Sequence, residues 1–180
     1  MNHLSLRYAI IETAQKMSAL GLNQGTAGNV SVRADDTLLL TPSGVPYEDL
    51  TPGDIISMTF DHRWSVDIPG RYPTSEWRIH RDILAALNEF GAVLHAHSPF
   101  CTTLACLQRD IPAFHYMVAV AGGDSIRCAP YATFGTEELS IAALAALEDR
   151  KACLLAHHGL IACGTDLKAF RQGHPVLLGD

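Results

Sequence analysis

From Leu4 to Leu20 the apolar residues Leu6, Ile10, Ala14, Met17 and Leu20 recur at helical spacing. Gly21 follows as a C-terminal stop signal, so the chain is expected to open with an amphipathic helix. The polar, glycine-bearing stretch NQGTAGN (23 to 29) then feeds Val30 and Val32, which alternate with Ser31 and Arg33 as in a half-buried strand. Leu38 to Leu40, Asp54 to Phe60 and Arg63 to Asp67 read as further strands, separated by the turn signals TPSG and DH. This region is expected to form an antiparallel meander.

Thr74 and Ser75 offer caps for a helix carrying Trp77, His80, Leu84 and Leu87 on one stripe, with Glu76 in its first turn and Gly91 ending it before the strand AVLHAH. Ser98-Pro99 marks another helix start, with proline at the first helical position. A third helical stretch, rich in Ala and Leu, begins at Thr136, after a glycine-containing connection from Ala121 to Asp124. Ala152 to Cys163 (ACLLAHHGLIAC) is a long apolar run interrupted by two histidines and a glycine, the pattern of two buried strand pieces rather than a helix.

Composition narrows the class. With 180 residues, 48% hydrophobic and 18% charged, the chain can bury a substantial core and fits one domain better than two. A net charge of -6 gives no general attraction for nucleic acid or an anionic membrane, so any phosphate must be held locally. No apolar run approaches the roughly 18 residues of a membrane helix. The five cysteines form no CxxC pair and sit in apolar surroundings, as buried reduced thiols do, which points to the cytoplasm.

Two imidazoles spaced as His95-Ala96-His97 at the end of a strand project from the same face and can approach one ion. A third ligand is available in His157-His158, of which one would turn toward that face; the local pattern does not say which. Three neutral imidazoles around Zn²⁺ leave a position open, as a catalytic site requires. Glu76 could ligate the ion and serve as a general base, or its charge could simply complement a helix N-terminus. NQGTAGN, TPSG and Thr74-Ser75 offer backbone N–H groups and neutral donors to an oxyanion, or are plain turns. Neither loop matches a nucleotide-binding fingerprint.

Taken together, GLNQGTAGNVSVR (21 to 33), TPSGVPYEDL (41 to 50), SEWRIH (75 to 80), HAHSPFCT (95 to 102), IPAFHYM (111 to 117), CAPYATFGTEELS (128 to 140) and LLAHHGLIACG (154 to 164) closely resemble the class II aldolase/adducin family. The resemblance implies an α/β three-layer fold with a central, mainly antiparallel sheet flanked by helices. It implies one Zn²⁺ per subunit on His95, His97 and His158, leaving His157 as a supporting core residue. Glu76 becomes a ligand and proton carrier, and Asn29, Ser43, Gly44, Thr74 and Ser75, with Thr26 beside them, become the phosphate pocket. Tyr116 is implied to assist proton handling at the aldehyde oxygen, though its ring could simply pack with its hydroxyl satisfied. Phe134 would be an apolar wall for the aldehyde.

The implied activity is reversible cleavage of a sugar phosphate of fucose metabolism, L-fuculose 1-phosphate, to dihydroxyacetone phosphate and L-lactaldehyde through a zinc-stabilised enediolate. The implied assembly is a fourfold cyclic homotetramer with active sites between subunits. The match runs from about residue 5 to 170 within a single domain spanning 1 to 180. After about Phe170 the sequence RQGHPVLLGD departs from the family pattern, and the C-terminal helices and tail, with a second tyrosine, are expected to be absent. Rival expectations are a sugar-phosphate 4-epimerase, which carries aspartate where this chain has Glu76, a related dehydratase, and a shortened zinc-binding protein with poor turnover. A non-catalytic module like the adducin head lacks the metal-binding histidines found here.

Overall fold

The computed structural model describes residues 2–171. The residues after 171, on which the expected departure from the family pattern falls, lie outside that range. Strand β1 (Asn29–Ala34) is followed by β2 (Thr37–Leu40), β3 (Ile56–Thr59), β4 (Trp64–Ser65), β5 (Ala92–Ala96), β6 (Arg127–Ala129), β7 (Ala152–Leu155) and β8 (Gly159–Gly164). They form one sheet in the order β4-β3-β2-β1-β5-β8-β7-β6. Every adjacent pair is antiparallel except β6 and β7.

Two apolar clusters, one on each face, make this a three-layer α/β fold. Helices α1 (Leu4–Ala19) and α3 (Pro99–Cys106) place Ile10, Ala14, Met17 and Ala105 in a cluster with Val30, Val32 and Leu94. Helices α2 (Trp77–Ala86) and α4 (Glu137–Ala146) place Ile79, Ile83, Leu139 and Ala143 against Leu38, Leu40, Val93 and Ile161. Residues alternate between the clusters along each strand because successive side chains point to opposite faces. A short helix, α5 (Lys168–Arg171), ends the described part. None of the described helices is long and apolar enough to cross a membrane.

Several expectations are corrected by this packing. β1 is not half-buried: α2 covers its second face, so Ser31 is fully buried and satisfied by a 2.7 Å hydrogen bond with His80 Nδ1. The expected Asp54 to Phe60 strand loses its start, because Pro52–Asp54 form a 3₁₀ turn closed by a reciprocal Thr51–Asp54 capping box. Helix α2 begins one residue later than expected, so Glu76 is its N-cap rather than part of its first turn. Gly91 does not stop that helix, which ends at Ala86. Instead a Cβ at Gly91 would stand 2.2 Å from the Thr165 carbonyl oxygen, so the residue permits close passage of two backbone segments. A 3₁₀ segment, Tyr116–Ala121, leads into the connection from Ala121 to Asp124. All five cysteines are free, but Cys106 is exposed and Cys128 only partly buried, so the buried-thiol expectation holds for Cys101, Cys153 and Cys163 alone.

Candidate metal centre and adjoining pocket

The candidate centre forms where the C-terminal end of β5, the turn between β7 and β8 and the start of α2 meet. Antiparallel pairing sets His95 opposite Ile161 and Ala96 opposite Leu160, which brings the β7–β8 turn beside the HxH segment. His95 Nδ1–H donates to the Leu160 carbonyl at 2.9 Å, leaving Nε2 to face the centre. There it lies 2.8 Å from His97 Nε2 and 3.1 Å from Glu76 Oε2. His158 Nε2 stands 3.2 Å from Glu76 Oε1. One donor atom from each of Glu76, His95, His97 and His158 lies within 4.8 Å of all the others.

The donor chemistry fits a divalent cation. With Nδ1–H engaged by Leu160, His95 turns an Nε2 lone pair toward the Glu76 carboxylate, an arrangement of acceptors that a cation between them would relieve. Glu76 Oε1 is buried and makes no hydrogen bond although His158 Nε2 lies 3.2 Å away. A cation among the four groups would take one donor atom from Glu76 and one from each of the three imidazoles. The separations of 2.8, 3.1 and 3.2 Å, within a set whose donor atoms all lie inside 4.8 Å, are compact enough for the groups to share one ion.

Electrostatics agree with that donor set. Burial, then the neighbouring His95 and His158, push His97 down to about 4, against the pull of Glu76. Burial lowers His158 in the same way. Both rings therefore present lone pairs at neutral pH. Burial works to raise the Glu76 carboxyl, yet the charge and hydrogen bonding of His95, the charge of His158 and the Asn29 amide hold it well below the usual carboxylate range. His80, fully buried behind the centre, is pushed to about 3 by burial first and His95 second, against Glu76.

These depressed imidazoles make the metal-free protein acid-sensitive. Between the ordinary histidine value of about 6.5 and the folded values, the unfolded chain binds protons that the folded chain refuses, so stability rises with pH across that window. Thermal melts of chelator-treated protein are expected to show a Tm nearly level from pH 8 to 7 and falling continuously from about pH 6.5 toward 4, with fully buried His80 contributing about 1.4 kcal/mol per unit of depression and the more solvated His97 and His158 less. A Tm unchanged over that range would contradict the neutral state of fully buried His80 and half-buried His97.

Gly159, which follows His158, is dictated by the same crowding. A Cβ there would stand 2.5 Å from the Ala96 carbonyl oxygen, 2.7 Å from His97 Cδ2 and 3.3 Å from His95 Cε1. Gly159→Ala is expected to displace two of the imidazoles and weaken zinc binding by about 10–100-fold, as displaced ligand support does elsewhere. Competition with a chromophoric chelator measures this; wild-type affinity would show that the rings do not need their present positions.

Beside the centre opens a pocket of about 360 Å³, lined by residues 26–29, 42–44 and 74–76 with His97, Phe134 and His158. Every residue expected in the phosphate pocket therefore borders it. Their states differ: Thr26, Ser43, Gly44 and Ser75 are exposed, whereas Asn29 and Thr74 are buried. The Asn29 amide is committed to Thr74 Oγ1 and Glu76 Oε2, both at 3.0 Å, and the Ser43 N–H to the Tyr72 carbonyl at 2.9 Å. Phe134, 61% exposed, stands at the pocket as the expected aldehyde wall would.

Tyr116 is not brought to this pocket. It is 79% exposed and lines a separate hollow with Phe114, His115 and Asp124. His157 is no core residue either: it occupies the β7–β8 turn with φ 58°, is exposed, bonds to Gln108 Nε2 at 2.8 Å and meets the Tyr131 ring edge-on. The alternation argument for the histidine pair fails because these residues lie in a turn, not an extended strand. His80 and Ser31, which join the centre through Asn29, were missed. The available signal was spacing: His80 lies four residues after Glu76, and Ser31 two after Asn29.

A family profile described as the class II aldolase and adducin N-terminal domain matches residues 8–172. The chain is 58% identical over 168 residues to a 5-methylthioribulose-1-phosphate/5-deoxyribulose-1-phosphate aldolase of Rhodospirillum rubrum, covering 93% of this chain and 75% of the relative. It is 50% identical over 177 residues to the L-fuculose phosphate aldolase of Escherichia coli, covering 98% and 81%. Among solved structures, an L-fuculose 1-phosphate aldolase superposes with a TM-score of 0.89 at 37% identity, over 95% of this chain and 81% of that one. Sheet order, the three-histidine cluster and these matches lead to one assignment: the chain belongs to the class II aldolase and adducin family.

Proposed function

We propose that this protein is a zinc-dependent aldolase that reversibly cleaves a ketose 1-phosphate between C3 and C4, releasing dihydroxyacetone phosphate and an aldehyde. The observation that carries the reading is the convergence of Glu76 with His95, His97 and His158 on the wall of a polar pocket rich in hydroxyl and glycine residues. Three imidazoles suit Zn²⁺ and, once substrate displaces the Glu76 carboxylate, leave room for its oxygens. When bound, the cation supplies the positive charge against which negative charge on those oxygens is stabilised.

The chain's own groups divide the remaining work. Exposed hydroxyls of Thr26, Ser43 and Ser75 and the Gly44 amide offer neutral donors to the phosphate, which suits a protein with a net charge of -6 and no general cationic surface. In the cleavage direction the C4 hydroxyl gives up its proton, which the Tyr116 hydroxyl relays to the ionised Glu76 carboxylate, as C4–O becomes a carbonyl and the C3–C4 electron pair passes to an enediolate. Glu76 then delivers that proton to C3, so none is gained or lost overall; the absence of a hydrogen bond at its Oε1 supports this role. Tyr116 serves the aldehyde oxygen from a neighbouring subunit of a cyclic homotetramer, an assignment supported by its exposure and by its lining a hollow other than its own chain's pocket.

L-Fuculose 1-phosphate and the 5-deoxy and 5-methylthio ribulose 1-phosphates are the candidate substrates, since relatives named for each match most of the chain. They share the phosphate-bearing half and differ in the aldehyde half, which would meet Phe134. A cytoplasmic setting goes with the free thiols. Elemental analysis followed by an assay for dihydroxyacetone phosphate released from each of the three ketoses tests the proposal. About one zinc per chain and turnover of at least one ketose is the expected result; zinc-free protein, or no release from any of them, would refute it.

A further inference from the structure

We propose that His80 is a positioning residue that orients the Glu76 carboxylate by acting through Asn29. Four side chains form a continuous buried chain behind the pocket: Ser31 and His80 are 0% exposed, Asn29 3% and Glu76 7%. Ser31 Oγ lies 2.7 Å from His80 Nδ1, His80 Nε2 is hydrogen-bonded to Asn29 Oδ1, and Asn29 Nδ2 lies 3.0 Å from Glu76 Oε2. Spacing explains how they meet. Asn29 and Ser31 share one face of β1, and Glu76 and His80, four residues apart, share one side of the start of α2.

The direction of every bond in this chain follows from the carboxylate at its end. An ionised carboxylate only accepts, and Thr74 Oγ1 sits at 3.0 Å from the same amide nitrogen, so Asn29 turns its NH₂ toward both. Its Oδ1 then needs a donor, which is His80 Nε2–H. A neutral His80 with its proton on Nε2 accepts at Nδ1 from the Ser31 hydroxyl. Reversing the Asn29 amide would set its carbonyl oxygen against the carboxylate and leave His80 without an acceptor. His80 thus locks the amide, and the amide holds Oε2, leaving Oε1 as the oxygen free of hydrogen bonds. His80 does not line the pocket, so its effect is on orientation and not on substrate contact.

The kinetic half of the test rests on the aldolase reading; the spectroscopic half does not. Two variants separate positioning from mere packing: His80→Leu fills the space without a donor, and His80→Gln restores an N–H at similar reach. With zinc-loaded protein, His80→Leu is expected to lower kcat about 10–100-fold, with KM within about twofold and zinc content unchanged. His80→Gln should recover kcat to within about threefold of wild type. Independently, ¹⁵N NMR of the wild-type imidazoles should report His80 as the Nε2–H tautomer with a slowly exchanging proton.

An Nδ1–H tautomer in the wild type overturns the inference, as does a Leu variant with full kcat. Equal loss in both variants accompanied by loss of zinc also overturns it, because that marks a purely structural role. A wild type that cleaves no ketose phosphate would instead sink the aldolase reading, and the tautomer would still decide the role of His80.

Discussion

Glu76→Gln is expected to lower kcat for ketose 1-phosphate cleavage by about 1,000-fold or more while the protein still binds about one zinc per chain. The magnitude follows from the double duty proposed for this carboxylate. A positioned general acid or base typically contributes about 100–10,000-fold, and no other carboxylate joins the three histidines in the described cluster. Glutamine keeps the size of the side chain and can still accept the Asn29 N–H at its oxygen, so Asn29 and α2 need not move. Lost are the negative charge and the ability to carry a proton. The three imidazoles remain, so zinc is retained with reduced affinity. Measured kcat and metal content together decide the matter. A variant turning over at the wild-type rate would remove Glu76 from proton transfer, whereas one that loses zinc entirely would show it to be chiefly a ligand.

His158→Ala is expected to weaken zinc binding by at least about 100-fold and to abolish turnover, with little change in the Tm of the metal-free protein. The choice of ligand matters for what the experiment can show. His95 is fully buried and its Nδ1–H satisfies the Leu160 carbonyl, so its removal would leave a cavity and an unpaired acceptor as well as a missing ligand. His158 sits in the β7–β8 turn with its side chain 18% exposed, and its truncation disturbs mainly the centre. Zinc should raise the Tm of the wild type by mass action and leave that of the variant nearly unmoved at the same concentration. Full zinc occupancy with ordinary turnover in His158→Ala would refute the three-histidine site.

Much of the architecture was legible because it is written in short-range periodicity. The spacing from Leu6 to Leu20 and the signal at Gly21 locate α1, whose end is closed by hydrogen bonds from Gly21 N to Ser18 O and from Leu22 N to Met17 O. Ser98-Pro99 and Thr136 mark the starts of α3 and α4, and the Thr136 hydroxyl accepts the Leu139 N–H as an N-cap should. Errors arise where a residue's local meaning depends on a distant partner. Ser31 reads as solvent-facing until α2 is laid across β1, and Gly91 reads as a helix stop until the backbone at Thr165 passes over it.

The sequence by itself determined the order of the elements, the burial of ACLLAHHGLIAC as two strands, and the HxH pair as a unit with one direction, because all three depend on backbone steps of a few residues. Only the tertiary structure decided that the β7–β8 turn directs His158 inward and His157 outward, that Asn29 is committed to Glu76, and that Tyr116 lies away from its own chain's pocket. Those outcomes are set by contacts spanning long stretches of chain, such as Asn29 with Glu76 at a separation of 47 residues and His95 with Leu160 at 65. Side-chain alternation states which residues share a face, but pairing and packing between strands and helices determine which faces meet.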